Sequence, residues 1–162
     1  MNLYTTLREL IVSQIDALVE SGALPAGLDT AAITVEPPRD VAVRPYLDAY
    51  DRFVRESGFR AERMEFEVRH DVWRYVGHPD ILGWLNGQRI LVDVKTGALG
   101  PVAYQLAAYR LAWEHQHPDA PIQAIASLAL HDTGKYHFTE YERGESEAVW
   151  LAAVTVYRAQ ER

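Results

Sequence analysis

Two aspartates and a lysine occupy positions typical of metal-assisted phosphate chemistry. Asp93 and Lys95 are two residues apart in an apolar segment, and Asp80 lies on the apolar segment before it. Because alternate residues of a strand share a face, Asp93 and Lys95 are expected to point in the same direction. Two carboxylates and one backbone carbonyl form a set of hard oxygen ligands for Mg²⁺. A lysine beside them can orient water or stabilise charge on a phosphate oxygen, as metal-assisted phosphodiester hydrolysis requires.

Three further polar residues extend this candidate site. Gln105 and Tyr109 are four residues apart on the next predicted helix, so both project from one face. Glu65, on the first predicted strand of this region, is a carboxylate that can complete the ligand shell. An isolated Asp-x-Lys on a strand is more often a solvated ion pair. The interpretation therefore depends on the order and spacing of all these residues.

The elements that must position these residues follow from hydrophobic periodicity and turn signals. Apolar residues at helical spacing predict helices over residues 3–20, 45–57 and 102–115 and from about residue 145. Apolar or alternating segments predict strands over residues 31–36, 64–69, 75–85, 89–94, 122–130 and 136–141. Asn86-Gly87 predicts a tight hairpin between the strands that carry Asp80 and Asp93. The order α–β–α–βββ–α–ββ–α predicts an α/β (α+β) fold with a mixed central sheet flanked by helices.

Composition restricts the classes of function. The 162 residues are 48% hydrophobic, which is sufficient for one globular core. The chain has no cysteine, which excludes a thiolate nucleophile, cysteine-ligated zinc and an iron–sulfur cluster. A net charge of −7 argues against non-specific duplex binding through a broad basic face, but clustered carboxylates suit divalent metals. No apolar run is long enough to cross a membrane and the N-terminus lacks a signal-peptide pattern, so a cytoplasmic protein without membrane contact is expected.

Three segments carry a resemblance to a known superfamily. They are Tyr75-Val76-Gly77-His78-Pro79-Asp80-Ile81-Leu82-Gly83, Ile90-Leu91-Val92-Asp93-Val94-Lys95-Thr96-Gly97 and Tyr104-Gln105-Leu106-Ala107-Ala108-Tyr109. Their order resembles the RecB-like branch of the PD-(D/E)xK nucleases, and in particular the small phage-type exonucleases. The resemblance covers about residues 44–162. It implies a restriction-endonuclease-like core and hydrolysis of phosphodiester bonds in DNA.

The resemblance also implies a role for the acidic residues and the lysine. Asp80 and Asp93 would be metal ligands, with the carbonyl of Val94 as a third ligand. Lys95 would be the catalytic lysine. Glu65 falls where the family often keeps an upstream glutamate. The cofactor implied is Mg²⁺, with Mn²⁺ as a substitute.

The helix pair and the histidines complete the comparison with that family. Gln105 and Tyr109 would form the helix motif that contacts nucleic acid or the active-site network. RecB-like nucleases usually carry a metal-ligating histidine on an upstream helix, and this sequence has none, because its first histidine is His70. His78 can approach the site, although a Gly-His-Pro-Asp turn needs no metal to explain it.

Residues 1–40 carry a different resemblance. The segments 22–29 and 34–40 resemble the start of bacterial arginyl-tRNA synthetase, a region that contacts tRNA in that family. The catalytic signatures of the synthetase are absent, which excludes ligase activity, and the acidic, shortened segment argues against tRNA binding. The two resemblances meet near residue 41. They divide the chain into a synthetase-like segment over 1–40 and a nuclease-like domain over 41–162.

Together these observations predict a metal-dependent DNA nuclease, more specifically an exonuclease. Its partner would be DNA. The alternative is a catalytically inactive remnant of a nuclease fold, or a chimera, that acts as a nucleic-acid-binding or structural protein.

Overall fold

A computed structural model describes residues 42–97 and 100–160, together with Val12, Ser13 and Ile15. These three residues are helical, which agrees with the helix predicted over 3–20 at those positions. The strand predicted over 31–36 and the segments 22–29 and 34–40 lie outside the described residues.

The described chain forms three helices and seven strands. In chain order they are α1 (Arg44–Ser57), β1 (Arg60–Met64), β2 (Val68–His70), β3 (Tyr75–Gly77), β4 (Ile81–Leu85), β5 (Gln88–Lys95), α2 (Val102–Gln116), β6 (Ala124–Leu130), β7 (Tyr136–Glu140) and α3 (Arg143–Gln160). Five strands form one sheet in the order β1-β4-β5-β6-β7, and β2 and β3 pair separately. Only β5 and β6 are parallel, and the crossover between them contains α2. The predicted α/β (α+β) class, with a mixed sheet flanked by helices, is confirmed.

Two of the predicted strands are wrong as single elements. The strand predicted over 64–69 divides at Glu65, whose φ of 49° is incompatible with a continuing strand. The strand predicted over 75–85 divides between Gly77 and Ile81. The reason is tertiary, because β2 and β3 leave the main sheet as an antiparallel hairpin that packs on α2. Five strands therefore lie between α1 and α2 instead of the three predicted.

The predicted hairpin between β4 and β5 is confirmed. The two strands are antiparallel from Leu85↔Gln88 to Ile81↔Val92. Asn86 and Gly87 both have positive φ, at 51° and 78°, as a type I′ turn requires.

Strand β5 is central in the sheet and divides its side chains between two cores. Ile90 and Val92 belong to the core that includes Phe53 of α1. Leu91 belongs to the core on the opposite face, which includes Leu106 of α2. Since side chains alternate along a strand, Asp93 and Lys95 lie on the same face as Leu91, toward α2.

Helix α1 is delimited by residues that suit its ends. Pro45 lies in the first turn, where its missing N–H costs no hydrogen bond. Gly58 ends the helix in the left-handed conformation, with φ 70°, and donates its N–H to the carbonyl of Val54 at 3.0 Å. Ala49, Tyr50 and Phe53 form the buried face of this helix.

No helix in the described part of the chain is long and apolar enough to cross a membrane.

Candidate active site

The ladders of β1, β4 and β5 align three acidic residues at one edge of the sheet. The last β4–β5 pair is Ile81↔Val92, so one further step brings Asp80 opposite Asp93. Residues directly opposite in antiparallel strands have Cβ atoms about 5 Å apart and point to the same face. Glu65 follows the last β1–β4 pair and donates its N–H to the carbonyl of Asp80 at 2.8 Å.

Asp93 and Lys95 form a partly buried ion pair. The Lys95 Nζ atom donates a hydrogen bond to Asp93 Oδ1 at 3.0 Å and lies 2.9 Å from Oδ2. Asp93 is only 3% exposed, and its Oδ2 atom is buried and accepts no directed hydrogen bond in the structure. The predicted shared direction of Asp93 and Lys95 is therefore confirmed, and the ammonium of Lys95 lies against both carboxylate oxygens of Asp93.

Burial and charge shift the pKa values of both partners. Burial raises the pKa of Asp93 above its ordinary value; the hydrogen bond from Lys95 opposes this rise and the charge of Asp80 adds to it. Burial alone lowers the pKa of Lys95, but the hydrogen bond and charge of Asp93, with the charge of Asp80, outweigh it, and the net pKa is raised. Lys95 is therefore a cation at neutral pH, in contact with Asp93 and close enough to Asp80 for the charge of that carboxylate to raise its pKa.

Beyond the end of β4, strand β5 has no paired strand on that side, and the side chain of Asp80 takes the place of the missing backbone acceptor. Its Oδ2 atom accepts a hydrogen bond from the N–H of Val94 at 2.6 Å. In an antiparallel ladder the N–H and C=O of one residue point to the same side of the strand. The carbonyl of Val94 therefore faces the side on which Asp80 lies, where a metal bound to Asp80 and Asp93 would require it.

Helix α2 brings Tyr109 and Gln105 to the edge of this cluster. Gln105 Nε2 donates a hydrogen bond to the Tyr109 hydroxyl at 2.7 Å, which confirms their predicted common face. Tyr109 is close enough to Lys95 to influence its pKa, in the raising direction and after the larger effects of burial, Asp93 and Asp80. The ring of Tyr109 packs on the backbone of Gly77, where a Cβ atom would come closer than 3.0 Å to the ring.

Glu65 and His78 lie beside the cluster in the fold, with their side chains exposed. The side chain of Glu65 is exposed, and the hydrogen bond between Glu65 and Asp80 joins their backbones. His78 is exposed and its Nε2 atom lies 3.8 Å from a Glu67 oxygen. Its nearest ionic contact is thus Glu67 on the neighbouring hairpin.

Two carboxylates are the side chains that this site offers to a magnesium ion. No group of three or more histidine, aspartate or glutamate side chains in the described ranges is arranged to hold a metal. Asp80 and Asp93 remain as two carboxylates close enough for the charge of Asp80 to raise the pKa of Asp93. Mg²⁺ is commonly bound by one or two carboxylates with water and phosphate oxygens in the other positions.

Sequence reasoning missed two features of this region. The first is Gly77, signalled only as a glycine within an apolar segment, a common sign of close backbone approach. The second is a cleft of about 420 Å³ on the α1 side of the same sheet edge, bordered by Glu65, Asp80 and Thr96. No local pattern marks this cleft, because its walls come from α1, β1, β4, β5 and β6.

Comparison with known proteins identifies similarity in a short N-terminal segment of the chain. No family model matches the sequence. A short N-terminal segment of 42 residues is 55% identical to the arginine–tRNA ligases of Cereibacter sphaeroides and of Ruegeria sp. and 52% identical to that of Paracoccus denitrificans. The match covers 26% of this chain and 7% of the length of each ligase. The similarity of the N-terminal segment to arginyl-tRNA synthetases is thus confirmed, for that segment alone.

Proposed function

We propose that the domain formed by α1 to α3 is a metal-dependent DNA nuclease, and more specifically an exonuclease of the PD-(D/E)xK type. The observation that carries the proposal is the contact of the Lys95 ammonium with the buried carboxylate of Asp93, with Asp80 beside both. The resemblance of segments 75–83, 90–97 and 104–109 to RecB-like nucleases supports the same reading.

Each of these residues would have its own role in the reaction. Asp80, Asp93 and the Val94 carbonyl would hold Mg²⁺, which supplies Lewis-acid polarisation of the phosphate and a more acidic water. Lys95, a cation held by Asp93, would stabilise the charge that develops on the phosphate oxygens. Water forms a bond to phosphorus, the bond to the ester oxygen breaks, and that oxygen gains the proton that the water loses.

Tyr109 and Gln105 would act at the rim of the site. Their mutual hydrogen bond orients the hydroxyl of Tyr109, a residue close enough to Lys95 to affect its pKa. From there the two side chains would contact the nucleic acid. Because the chain carries a net charge of −7, DNA binding would depend on the metal and on a few local cations rather than on a basic face.

The test is cleavage of end-labelled single-stranded and double-stranded DNA in Mg²⁺, Mn²⁺ or EDTA. The chain has two lysines, so Lys95→Ala has a matched control in Lys135→Ala, which alters an exposed lysine at the β6–β7 turn. We expect metal-dependent cleavage by the wild type and the Lys135 variant and its loss in Lys95→Ala. Retained cleavage in Lys95→Ala would refute this mechanism.

A second candidate is a nuclease fold that no longer cleaves and acts as a nucleic-acid-binding or structural protein. It is favoured by one observation: within the described ranges, no set of three acidic or histidine side chains is arranged around a metal. A competent site should raise the melting temperature when Mg²⁺ or Mn²⁺ is added, since a ligand that binds the folded state stabilises it. An unchanged melting temperature together with absent cleavage would favour this second candidate.

A further inference from the structure

Two histidine rings from different elements stack where the β2–β3 hairpin packs on α2. His70 is the last residue of β2, and His115 lies in the last turn of α2. Their ring centroids are 4.3 Å apart, and their planes differ by only 8°. Two charged imidazolium rings at this separation repel each other, because solvent ions screen charges poorly at such short range. The stack is therefore favourable only while at most one of the two rings is charged.

The ring of His70 also accepts a hydrogen bond that a second proton on the ring would remove. Its Nδ1 atom accepts the N–H of Trp73 at 3.4 Å, within the turn that joins β2 to β3. A ring nitrogen that accepts a hydrogen bond carries no proton, so neutral His70 has its proton on Nε2. Protonation places a proton on Nδ1, which then faces the N–H of Trp73 as a second donor. The docked hairpin thus favours the neutral form of His70.

The charged and titratable groups around His70 come from each element that packs against it. In the turn, the Oδ2 atom of Asp71 lies 3.7 Å from Nε2 of His115. Strand β3 contributes Tyr75, which is uncharged in acid because burial raises its pKa to about 12, and α3 contributes Arg158, which donates to a backbone carbonyl of the turn. Burial, and then the charge of His115, lower the pKa of His70 below its ordinary value, although the charge of Asp71 opposes them.

Docking of this hairpin affects residues outside it. The backbone N–H of Arg69 on β2 donates to the side-chain oxygen of Gln116 on α2 at 2.9 Å, beside the histidine stack. At the other end of the hairpin, Gly77 of β3 contacts the ring of Tyr109 on α2. A hairpin that separates from α2 would therefore also remove the packing surface of Tyr109.

We propose that His70 and His115 form an acid-sensitive latch between the β2–β3 hairpin and α2. Above about pH 6.5, the ordinary pKa of histidine, the neutral rings stack and the hairpin stays docked. Below that pH, His70 binds a proton more readily in the released hairpin than in the stack, so acid favours release. Stability from the latch is thus present at neutral pH and is lost as the pH falls. The latch does not depend on the proposed nuclease function.

Hydrogen exchange of the backbone amides of β2 and β3 tests the latch. The exchange rates at pH 7.5 and pH 5.5 are converted to protection factors, which remove the pH dependence of exchange in an unfolded chain. Repulsion between two charges about 4 Å apart should lower the protection of the hairpin at least about fivefold at pH 5.5. The amides of β5 should keep their protection. Equal hairpin protection at the two pH values would overturn the latch, and so would an equal fall in β5, which would indicate unfolding of the whole domain.

Two variants assign the effect to the histidine pair. His115→Phe keeps a ring in the stack but cannot be protonated, so we expect hairpin protection to become independent of pH. Asp71→Asn, at an exposed position, removes a charge that favours protonated His70, so the fall at pH 5.5 should be larger than in the wild type. The matched control is His131→Phe, which changes an exposed histidine after β6 and should keep the fall of the wild type. A wild-type fall in His115→Phe, or no larger fall in Asp71→Asn, would contradict the latch.

Discussion

The ring of Tyr109 occupies the space that a side chain at position 77 would need. A Cβ atom on Gly77 would come closer than 3.0 Å to the ring, so only glycine permits this approach of β3 to α2. The contact connects the hairpin of β2 and β3, the helix that carries Gln105, and the neighbourhood of Lys95. Gly77, which has no side chain, thereby helps to fix the position of the Tyr109 side chain.

Gly77→Ala is expected to destabilise the protein through this contact. The added methyl group must displace the Tyr109 ring, and overpacking of this kind costs about 1–3 kcal/mol. Urea denaturation measures the loss. Gly100→Ala is the matched control, because a Cβ at that position meets no atom within 4 Å. A loss that persists undiminished when Tyr109 is also changed to alanine would contradict the assignment, since coupled sites are not additive.

Asp80 should affect stability and activity in separable ways. Asp80→Ala leaves the N–H of Val94 without its acceptor, which costs about 1–3 kcal/mol. Asp80→Asn keeps an oxygen acceptor, and the repulsion of Asp93 and the attraction of Lys95 that it removes oppose each other. Its free energy of unfolding should therefore lie closer to that of the wild type than that of Asp80→Ala does. Both variants should lose metal-dependent cleavage. If Asn proved as destabilising as Ala in urea denaturation, the hydrogen bond to Val94 would not be the structural role of Asp80.

Arg110 should be the most sensitive charged residue for the packing of α2 against α3. It is 6% exposed and forms ion pairs with Glu114 at 2.8 Å and with Glu147 of α3. Arg110→Met leaves two partly buried carboxylates without their cation, and the loss of one partner of such a network costs about 3–5 kcal/mol. Arg52→Met, which breaks an exposed pair with Glu56, should leave the urea midpoint unchanged. Equal effects of the two variants would argue against a structural role for the buried network.

Tyr50 should make a measurable contribution to alkaline unfolding. Burial, and to a smaller extent Asp51, raises the pKa of Tyr50 from 10.0 to about 12. The unfolded chain therefore ionises first, so the stability present below pH 10 falls as the pH rises toward 12, by about 3 kcal/mol for this group. Tyr50→Phe should lack this part of the loss and be at least as stable as the wild type at pH 8. Parallel pH profiles of unfolding free energy for the two proteins would contradict this.

The structural features that the sequence predicted correctly depend on local rules. The Asn86-Gly87 turn specifies the β4–β5 hairpin within two residues, and the hairpin register then brings Asp80 opposite Asp93. The spacing of Gln105 and Tyr109 on a helix is equally local. The common face of Asp93 and Lys95 likewise follows from strand alternation and requires no tertiary information.

The parts that were missed depend on long-range packing. Alternation over 64–69 is compatible with one continuous strand, and only the docking of the hairpin on α2 explains the break at Glu65. The cleft beside Tyr50 arises between five elements, none of which has an unusual sequence. The exposure of Glu65 is a further case, because its position in the sequence could not distinguish a ligand directed inward from a side chain in solvent.

The 2.6 Å hydrogen bond from Val94 to Asp80 gives the site its own spectroscopic reporter. The amide proton of Val94 senses the electron density on a carboxylate oxygen, so its chemical shift will change whenever Asp80 gains a proton or a cation. Titration of the EDTA-washed protein with Mg²⁺ can thus be followed at the backbone resonance of Val94, without any nucleic acid. The same proton should exchange with solvent more slowly once the carboxylate is immobilised.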